Sequence, residues 1–353
     1  MVDSLIHNGL NQFLSQQQMR DETKLSVLDI CSGAGGEAIG LEAAGFMHEA
    51  VIEIDAAACQ TLRFNRPTWR VVEGDIREVN GLDFRGIDLL AGGVPCPPFT
   101  IAGKQLGEED ERDLFPEALR LIEQAKPTAV MLENVPGLAS ARFATYRSSL
   151  LSRLNCLGYE VTWRTLNSSD YGVPQLRPRF ILVALRRPYF ENFHWPLPVK
   201  TLTTVGQTLR ELMASSGWKG ADQWSRKASS IAPTLVGGSK KHGGPDLGPT
   251  RARKQWEALG VDGRGIADSP PGADFPVDGY PRLTLRMAAR LQAFPDTWTF
   301  AGGKTSAYRQ IGNALPPPLS QAVGEAILAA LIGREQKDQH KAPTLYQPLL
   351  LYP

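Results

Sequence analysis

The sequence of 353 residues predicts an α/β protein, with a mostly parallel sheet covered by helices on both faces and a second, smaller, loop-rich domain. Three observations carry that expectation. Short apolar runs alternate with helical stretches through the first half, the first run opens into a glycine-rich turn, and successive runs end in carboxylates. Parallel sheets place the carboxyl ends of their strands along one edge, and ligands bind there.

In order along the chain, residues 1 to about 24 are polar and Gln-rich, a loose helix or arm. Leu25 to Ile30 reads as a strand, Cys31-Ser-Gly-Ala-Gly-Gly as its turn, and the next stretch as a helix stopped by Gly45. Glu49 to Ile54 is a strand ending in acid, Ala56 to Asn65 its helix, and Arg70 to Val72 a third strand leading into Glu-Gly-Asp. Ile87 to Ala91 feeds a loop, Leu114 to Gln124 is a helix, and Ala129 to Leu132 runs into Glu-Asn-Val-Pro-Gly. A helix over Phe143 to Leu157 and strands at Tyr159 to Leu166 and Phe180 to Leu185 complete the pattern.

After Leu185 the texture changes. Glycine, proline and turn clusters dominate from Arg186 to about Pro281, and Trp224 to Lys254 carries seven Lys or Arg against a single Asp246. That composition predicts a separate domain over 186–281 with a basic face, although a solvated surface would look the same. Order returns over 282–333, with an Arg-rich helix from Leu283 to Phe294, then Gln310-Ile-Gly-Asn and an Ala-rich helix to Leu331; residues 334–353 form a tail. The Arg-rich helix reads as structural rather than base-reading.

Composition bounds the function classes. Hydrophobic residues at 42% and charged residues at 21% describe a globular chain, and no apolar run approaches the roughly 18 residues of a membrane span. The N-terminus lacks the basic start and apolar core of a signal peptide, so a cytoplasmic protein is expected. Cys31, Cys59, Cys96 and Cys156 form no Cys-x-x-Cys pair, which predicts neither metal site nor disulfide framework; Cys59 and Cys156 read as core positions on helices. A net charge of +1 confines any nucleic-acid footprint to a local patch.

Two stretches carry chemistry. The first is the turn Asp29-x-x-x-Gly33-x-Gly35-Gly36, which departs from the G-x-G-x-x-G dinucleotide fingerprint because position 38 is Ala. Glu53 at the second strand end can take a ribose hydroxyl pair, and Asp75 at the third an adenine amino group. No Lys or Arg near Gly33 stands ready for a phosphate, which favours S-adenosylmethionine over a nicotinamide dinucleotide. The second stretch is Gly92-Gly-Val-Pro-Cys-Pro-Pro-Phe-Thr100, where Pro95, Pro97 and Pro98 stiffen Cys96 from both sides. Such a loop suits a nucleophile, and equally a small buried thiol in a surface turn. Glu133, also at a strand end, can face the same cleft. One Cys, one protonatable carboxyl and a methyl sulfonium are what methylation of cytosine carbon 5 demands: a thiolate adds at carbon 6 while an acid engages N3 and the 4-amino group.

With these residues in place, the chain resembles the DNA (cytosine-5) methyltransferases of the bacterial or phage restriction-modification type. The resemblance runs through six ordered motifs: Asp29 to Gly36, Pro95-Cys96-Pro97, Glu133-Asn-Val, Gln175-Leu-Arg177-Pro-Arg179, Leu283-Thr-Leu-Arg286 with Arg290-Leu-Gln, and Gln310-Ile-Gly-Asn313. It implies a Rossmann-like, S-adenosylmethionine-dependent fold, with 1–185 and 282–333 as catalytic domain and 186–281 as target-recognition domain. Cys96 would be the nucleophile, Glu133 would bind N3 and the amino group, and Arg179 would hold the O2 side of the flipped base with support from Arg177. Cys31, Gly33, Gly35, Gly36, Glu53, Ile54, Asp75, Ile76 and Asn313 would surround the cofactor. Cys31 and Ile54 depart from the Phe and Trp usual there. The partner implied is double-stranded DNA, contacted through Lys240, Lys241, Arg251, Arg253 and Lys254, by a monomeric enzyme without metal. Ile101 to Asp113 reads as a mobile loop closing over the base. A tRNA methyltransferase of the same fold, a nicotinamide oxidoreductase and a non-catalytic DNA-binding relative are the rival readings.

Overall fold

A computed structural model describes residues 24–95, 113–199, 203–238 and 244–333. Seven strands, β1 (Ser26–Ile30), β2 (Met47–Glu53), β3 (Val71–Glu73), β4 (Leu89–Gly93), β5 (Ala129–Asn134), β6 (Glu160–Asn167) and β7 (Pro178–Leu185), form one sheet in the order β3-β2-β1-β4-β5-β7-β6. All neighbours are parallel except β7, which runs antiparallel between β5 and β6. The sheet therefore shares the 3-2-1-4-5 order of dinucleotide-binding folds and differs at the far edge, where β7 is wedged in.

The central strands are continuous apolar runs because helices cover both faces. On one face, α1 (Gly36–Ala44) and α10 (Pro317–Leu331) enclose Val27, Leu41, Leu89, Met131, Leu319, Val323 and Ile327. On the other, α3 (Phe115–Ala125) and α4 (Ala144–Cys156) cover Leu28, Ile30, Leu90, Val130 and Leu132. The α3 sequence explains its seat: Phe115, Ala118, Leu119, Leu121, Ile122 and Ala125 recur at helical spacing on the buried side, and Pro116 sits in the first turn, where a missing N–H is harmless. Helix α2 (Ala56–Asn65) starts because the Asp55 carboxylate accepts from the N–H groups of Ala57 and Ala58.

The stretch after Leu185 contains α5 (Val205–Ala214), α6 (Ala221–Lys227) and α7 (Thr250–Ala258), with no strand among its described residues. It does not close off a core of its own. Trp224, Leu235 and Trp256 belong to one hydrophobic cluster with Ala38, Ile39, Val51 and Leu62 of α1, β2 and α2, so this stretch packs onto the helices beside the sheet. Two expectations change. The Arg-rich helix is only α8 (Leu285–Leu291), begun by the Thr284 cap and ended where Ala293 adopts φ 59°. Its Arg290 reaches Asp296 and the Thr208 carbonyl, a brace to α5, as a structural helix requires. Cys59 is fully buried, but Cys156 is exposed at the end of α4, on the helix face that no sheet covers.

Helices α1 and α10 touch at backbone distance. A Cβ on Gly40 would stand 2.4 Å from the Pro317 carbonyl oxygen and 2.6 Å from the Ser320 Cβ, so only glycine lets them meet. Gly40→Ala should accordingly cost about 2 kcal/mol or more, read as a lowered urea midpoint, because the overpacked helix cannot withdraw from its sheet.

Candidate active site

The carboxyl ends of β1, β2, β4 and β5 open into a cavity of about 310 Å³, closed on one side by residues 309–315, where helix α9 (Lys304–Asn313) ends. Its floor is the glycine turn. Gly35 caps α1 with φ 88°, and Gly36 has no room for a side chain, since a Cβ would lie 2.3 Å from the Leu315 carbonyl oxygen. Cys31 holds φ 55°, a left-handed conformation that a residue with a Cβ adopts at a cost of roughly 1 kcal/mol, and it lines the cavity from there.

Glu53 is fixed by backbone donors. One carboxylate oxygen accepts from Gly33 N–H at 2.8 Å, and the other from Ile54 and Asp55 N–H at 2.9 and 2.7 Å. Burial raises its pKa, and those three donors hold the rise back. Ile54 is 64% exposed, an apolar platform at the cavity mouth, with buried Ile76 behind it. Asp75 accepts from the Arg77 N–H and pairs with the Arg77 guanidinium at 2.7 Å; that backbone hydrogen bond foremost, then the guanidinium, keep it below its ordinary pKa. Asn313 is exposed, lines the cavity, and donates to the Gly238 carbonyl at 3.1 Å.

At the far wall, Glu133 and Arg179 form an ion pair of 2.7 Å, with only 12% and 10% of the side chains exposed. Burial raises the Glu133 pKa, opposed by Arg179 and more weakly by Arg177. The register that sets Glu133 opposite Gly93 and Ile181 brings the two residues together: Arg179 starts the antiparallel β7 beside the end of β5. Pro95 lines the same cavity, and Cys96 follows it outside the described residues, as do Lys240 and Lys241.

Arg177, expected to support Arg179, is fully buried and donates to the carbonyls of Leu235, Gly312 and Ala314 at 2.7, 2.7 and 2.9 Å, so it ties segments together. Among the predicted DNA contacts, Arg251 and Lys254 are exposed on α7, whereas Arg253 Nε donates to the Gly248 carbonyl at 2.9 Å and braces the helix start.

Sequence reasoning missed a second layer of carboxyls. Asp29 and Glu37 are buried beneath the cavity, Glu37 on its lining. Burial pushes the Asp29 carboxyl up to about 8, opposed by Ser32 and reinforced by Glu53. The signal for Glu37 was a carboxylate in the first turn of a mostly apolar helix. Also missed were Arg309 and Gln310 on the cavity wall; Gln310 accepts from the Thr61 hydroxyl at 2.7 Å. Among the described residues no His, Cys, Asp and Glu group could hold a metal ion, and no helix is long and apolar enough to cross a membrane.

Sheet order, the antiparallel β7 and an acidic cavity at the strand ends define a Rossmann-like methyltransferase. The fold is similar to that of a putative DNA modification methyltransferase from an Escherichia coli prophage (TM-score 0.61, 23% identity, 88% of this chain and 100% of that one). It is also similar to the Entamoeba histolytica methyltransferase EhMeth (TM-score 0.62, 14% identity, 87% and 99%).

The chain belongs to the C-5 cytosine-specific DNA methylase family, whose profile matches residues 25–329. Its relatives include Type II methyltransferase M.NaeI of Lentzea aerocolonigenes, 55% identical over 87% of this chain and 75% of that one. Another is Type II methyltransferase M.NgoMIV of Neisseria gonorrhoeae, 52% identical over 86% and 97%.

The buried Asp29 has a stability consequence. Its folded-state pKa exceeds the unfolded value, so the stability that its proton confers is complete below about pH 4 and is lost as pH rises through about 8. Asp29→Asn should match wild type in urea midpoint near pH 4 and exceed it near pH 9, since the variant has no proton to lose.

Proposed function

We propose that this DNA (cytosine-5) methyltransferase acts by covalent addition of Cys96 to carbon 6 of a cytosine rotated out of the duplex. Glu133 serves as acid at N3, and S-adenosylmethionine occupies the strand-end cavity. The observation that carries this reading is the Glu133–Arg179 pair on the wall of the cavity that Pro95, next to Cys96, also lines.

The cavity suits the cofactor. Glu53 is held by its three amides with its carboxylate at the cavity edge for ribose hydroxyls, Ile54 and Ile76 offer apolar surface to adenine, and Asp75 an acceptor for its amino group. Asn313, on the cavity lining, would take the methionine end. S-adenosylmethionine supplies an electrophilic methyl group.

The chain's own groups then make carbon 5 able to take that methyl. A sulfur–carbon 6 bond forms from the Cys96 thiolate, the carbon 5–carbon 6 π pair becomes a carbon 4–carbon 5 double bond, and the pair released onto N3 takes the proton of Glu133. Burial, which raises the Glu133 pKa against the pull of Arg179, makes its carboxyl a better holder of that proton than an exposed Glu would be. Arg179 orients the carboxyl and faces the O2 side of the base. Rotation of the nucleotide out of the stack costs a few kcal/mol, and phosphate contacts from the basic stretch hold the duplex meanwhile. Two relatives named Type II methyltransferases support a place beside a restriction activity.

Cys96→Ser should abolish methyl transfer while duplex binding survives, and 5-fluorocytosine in the target should trap a covalent adduct on wild type alone. An adduct on the variant would overturn the assignment of the nucleophile. Glu133→Gln should cut the single-turnover rate by about a hundredfold or more with binding retained. Replacing both Arg251 and Lys254 by Ala should weaken duplex binding and flatten its salt dependence by about two phosphate contacts; an unchanged slope would place the DNA elsewhere.

A further inference from the structure

We infer that Glu37 is a positioning residue for Glu133: the two carboxyls border the same gap at Gly93 and hold one proton between them, which Glu37 keeps in the empty pocket and passes to Glu133 for delivery to N3. The inference rests on the reading of Glu133 as the acid.

The geometry comes from a glycine. A Cβ built on Gly93 would stand 3.2 Å from Glu133 Oε2 and 3.9 Å from Glu37 Oε2, so both oxygens border the gap that the missing side chain leaves. Glu133 turns its other oxygen to Arg179 at 2.7 Å, which leaves Oε2 as the edge that meets Glu37 and the cavity. Glu37 is only 5% exposed, and its Oε1 has no hydrogen-bond partner among the described residues. An ionised carboxylate with an unpaired buried oxygen is costly, and a protonated one much less so.

The surrounding charges agree. Asp29 from β1 and Glu133 from β5 both face Glu37 and raise its pKa after burial itself, and the Gly92 backbone of β4 opposes them in part. On the Glu133 side, Arg179 and Arg177 favour the carboxylate. The proton therefore resides preferentially on Glu37 when the pocket is empty. When a base enters, that one proton moves to Glu133 and from Glu133 to N3 as the Cys96 thiolate adds to carbon 6, leaving both carboxyls ionised; on elimination of Cys96 it returns from N3 by the same path. Two carboxyls sharing one proton titrate as a pair and stay half-protonated to higher pH than either would alone.

Glu37→Gln keeps shape and removes the second carboxyl, so its alkaline limb for single-turnover methyl transfer should move to lower pH by about one unit, a loss of about tenfold above that limb. Binding of S-adenosylhomocysteine and of duplex DNA should change little. A rate loss equal at every pH, or a loss of S-adenosylhomocysteine binding with the limb unmoved, would overturn the inference and leave Glu37 a structural or cofactor-binding group. Carbon-13 carboxyl spectra of the wild-type protein provide the arm that needs no variant: one of the two carboxyls should stay protonated through neutral pH, and both ionised near pH 6 would overturn it. Glu133→Gln run alongside separates the two claims. If it loses rate while Glu37→Gln leaves the limb in place, only this inference falls; if it keeps full rate, the acid itself is misassigned and both fall.

Discussion

One guanidinium sets the relation between the parts of this molecule. Arg177 stands just before β7 and spends its hydrogen bonds on carbonyls of Leu235, Gly312 and Ala314, which come from the basic stretch and from the segment that closes the cavity. Burial first, and the neighbouring Arg179 charge after it, push its pKa down, yet an arginine remains charged, so those three carbonyls are what make its position tolerable. Around it run two buried amides: Gln175 accepts from Leu235 N–H and donates to Gln292, and Gln292 donates to Ile311. Three distant stretches of sequence are thereby locked in register, and Arg179, two residues on, is delivered to Glu133.

The cavity itself is an electrostatic compromise. Parallel strands present their carboxyl ends together, so a fold that recognises a cationic, amino-bearing ligand gathers Glu53, Asp75 and Glu133 on one edge, with Asp29 and Glu37 beneath. Packing five carboxyls so closely would be ruinous if all were ionised. Three devices oppose it: backbone amides saturate Glu53, guanidinium groups face Asp75 and Glu133, and burial raises the pKa of Asp29 and Glu37.

Much of this was legible in the sequence, for identifiable reasons. Strand–helix alternation with acids at strand ends locates β1 to β5 within two residues, and the ordered motifs lead to the family. The layer below the cavity was harder to see. Glu37 reads as an ordinary first-turn acid favourable to a helix dipole, and only the tertiary fold reveals that it is buried. Arg177 and Arg179 share one motif and look alike in sequence, yet Arg177 stands before β7 and Arg179 within it, and they meet different neighbours. Cys156 failed for the same kind of reason, because a weakly amphipathic helix does not declare which side is covered.

The closing segment at residues 309–315 lies near the far end of the polypeptide from the glycine turn it covers, and the Trp298 indole donates to the Ala34 carbonyl across the same distance in sequence. Synthesis proceeds from the amino end, so a nascent chain emerging from the ribosome carries the open half of the cavity long before its lid exists. Long-range closure thus ties completion of the cavity to synthesis of residues 309–315.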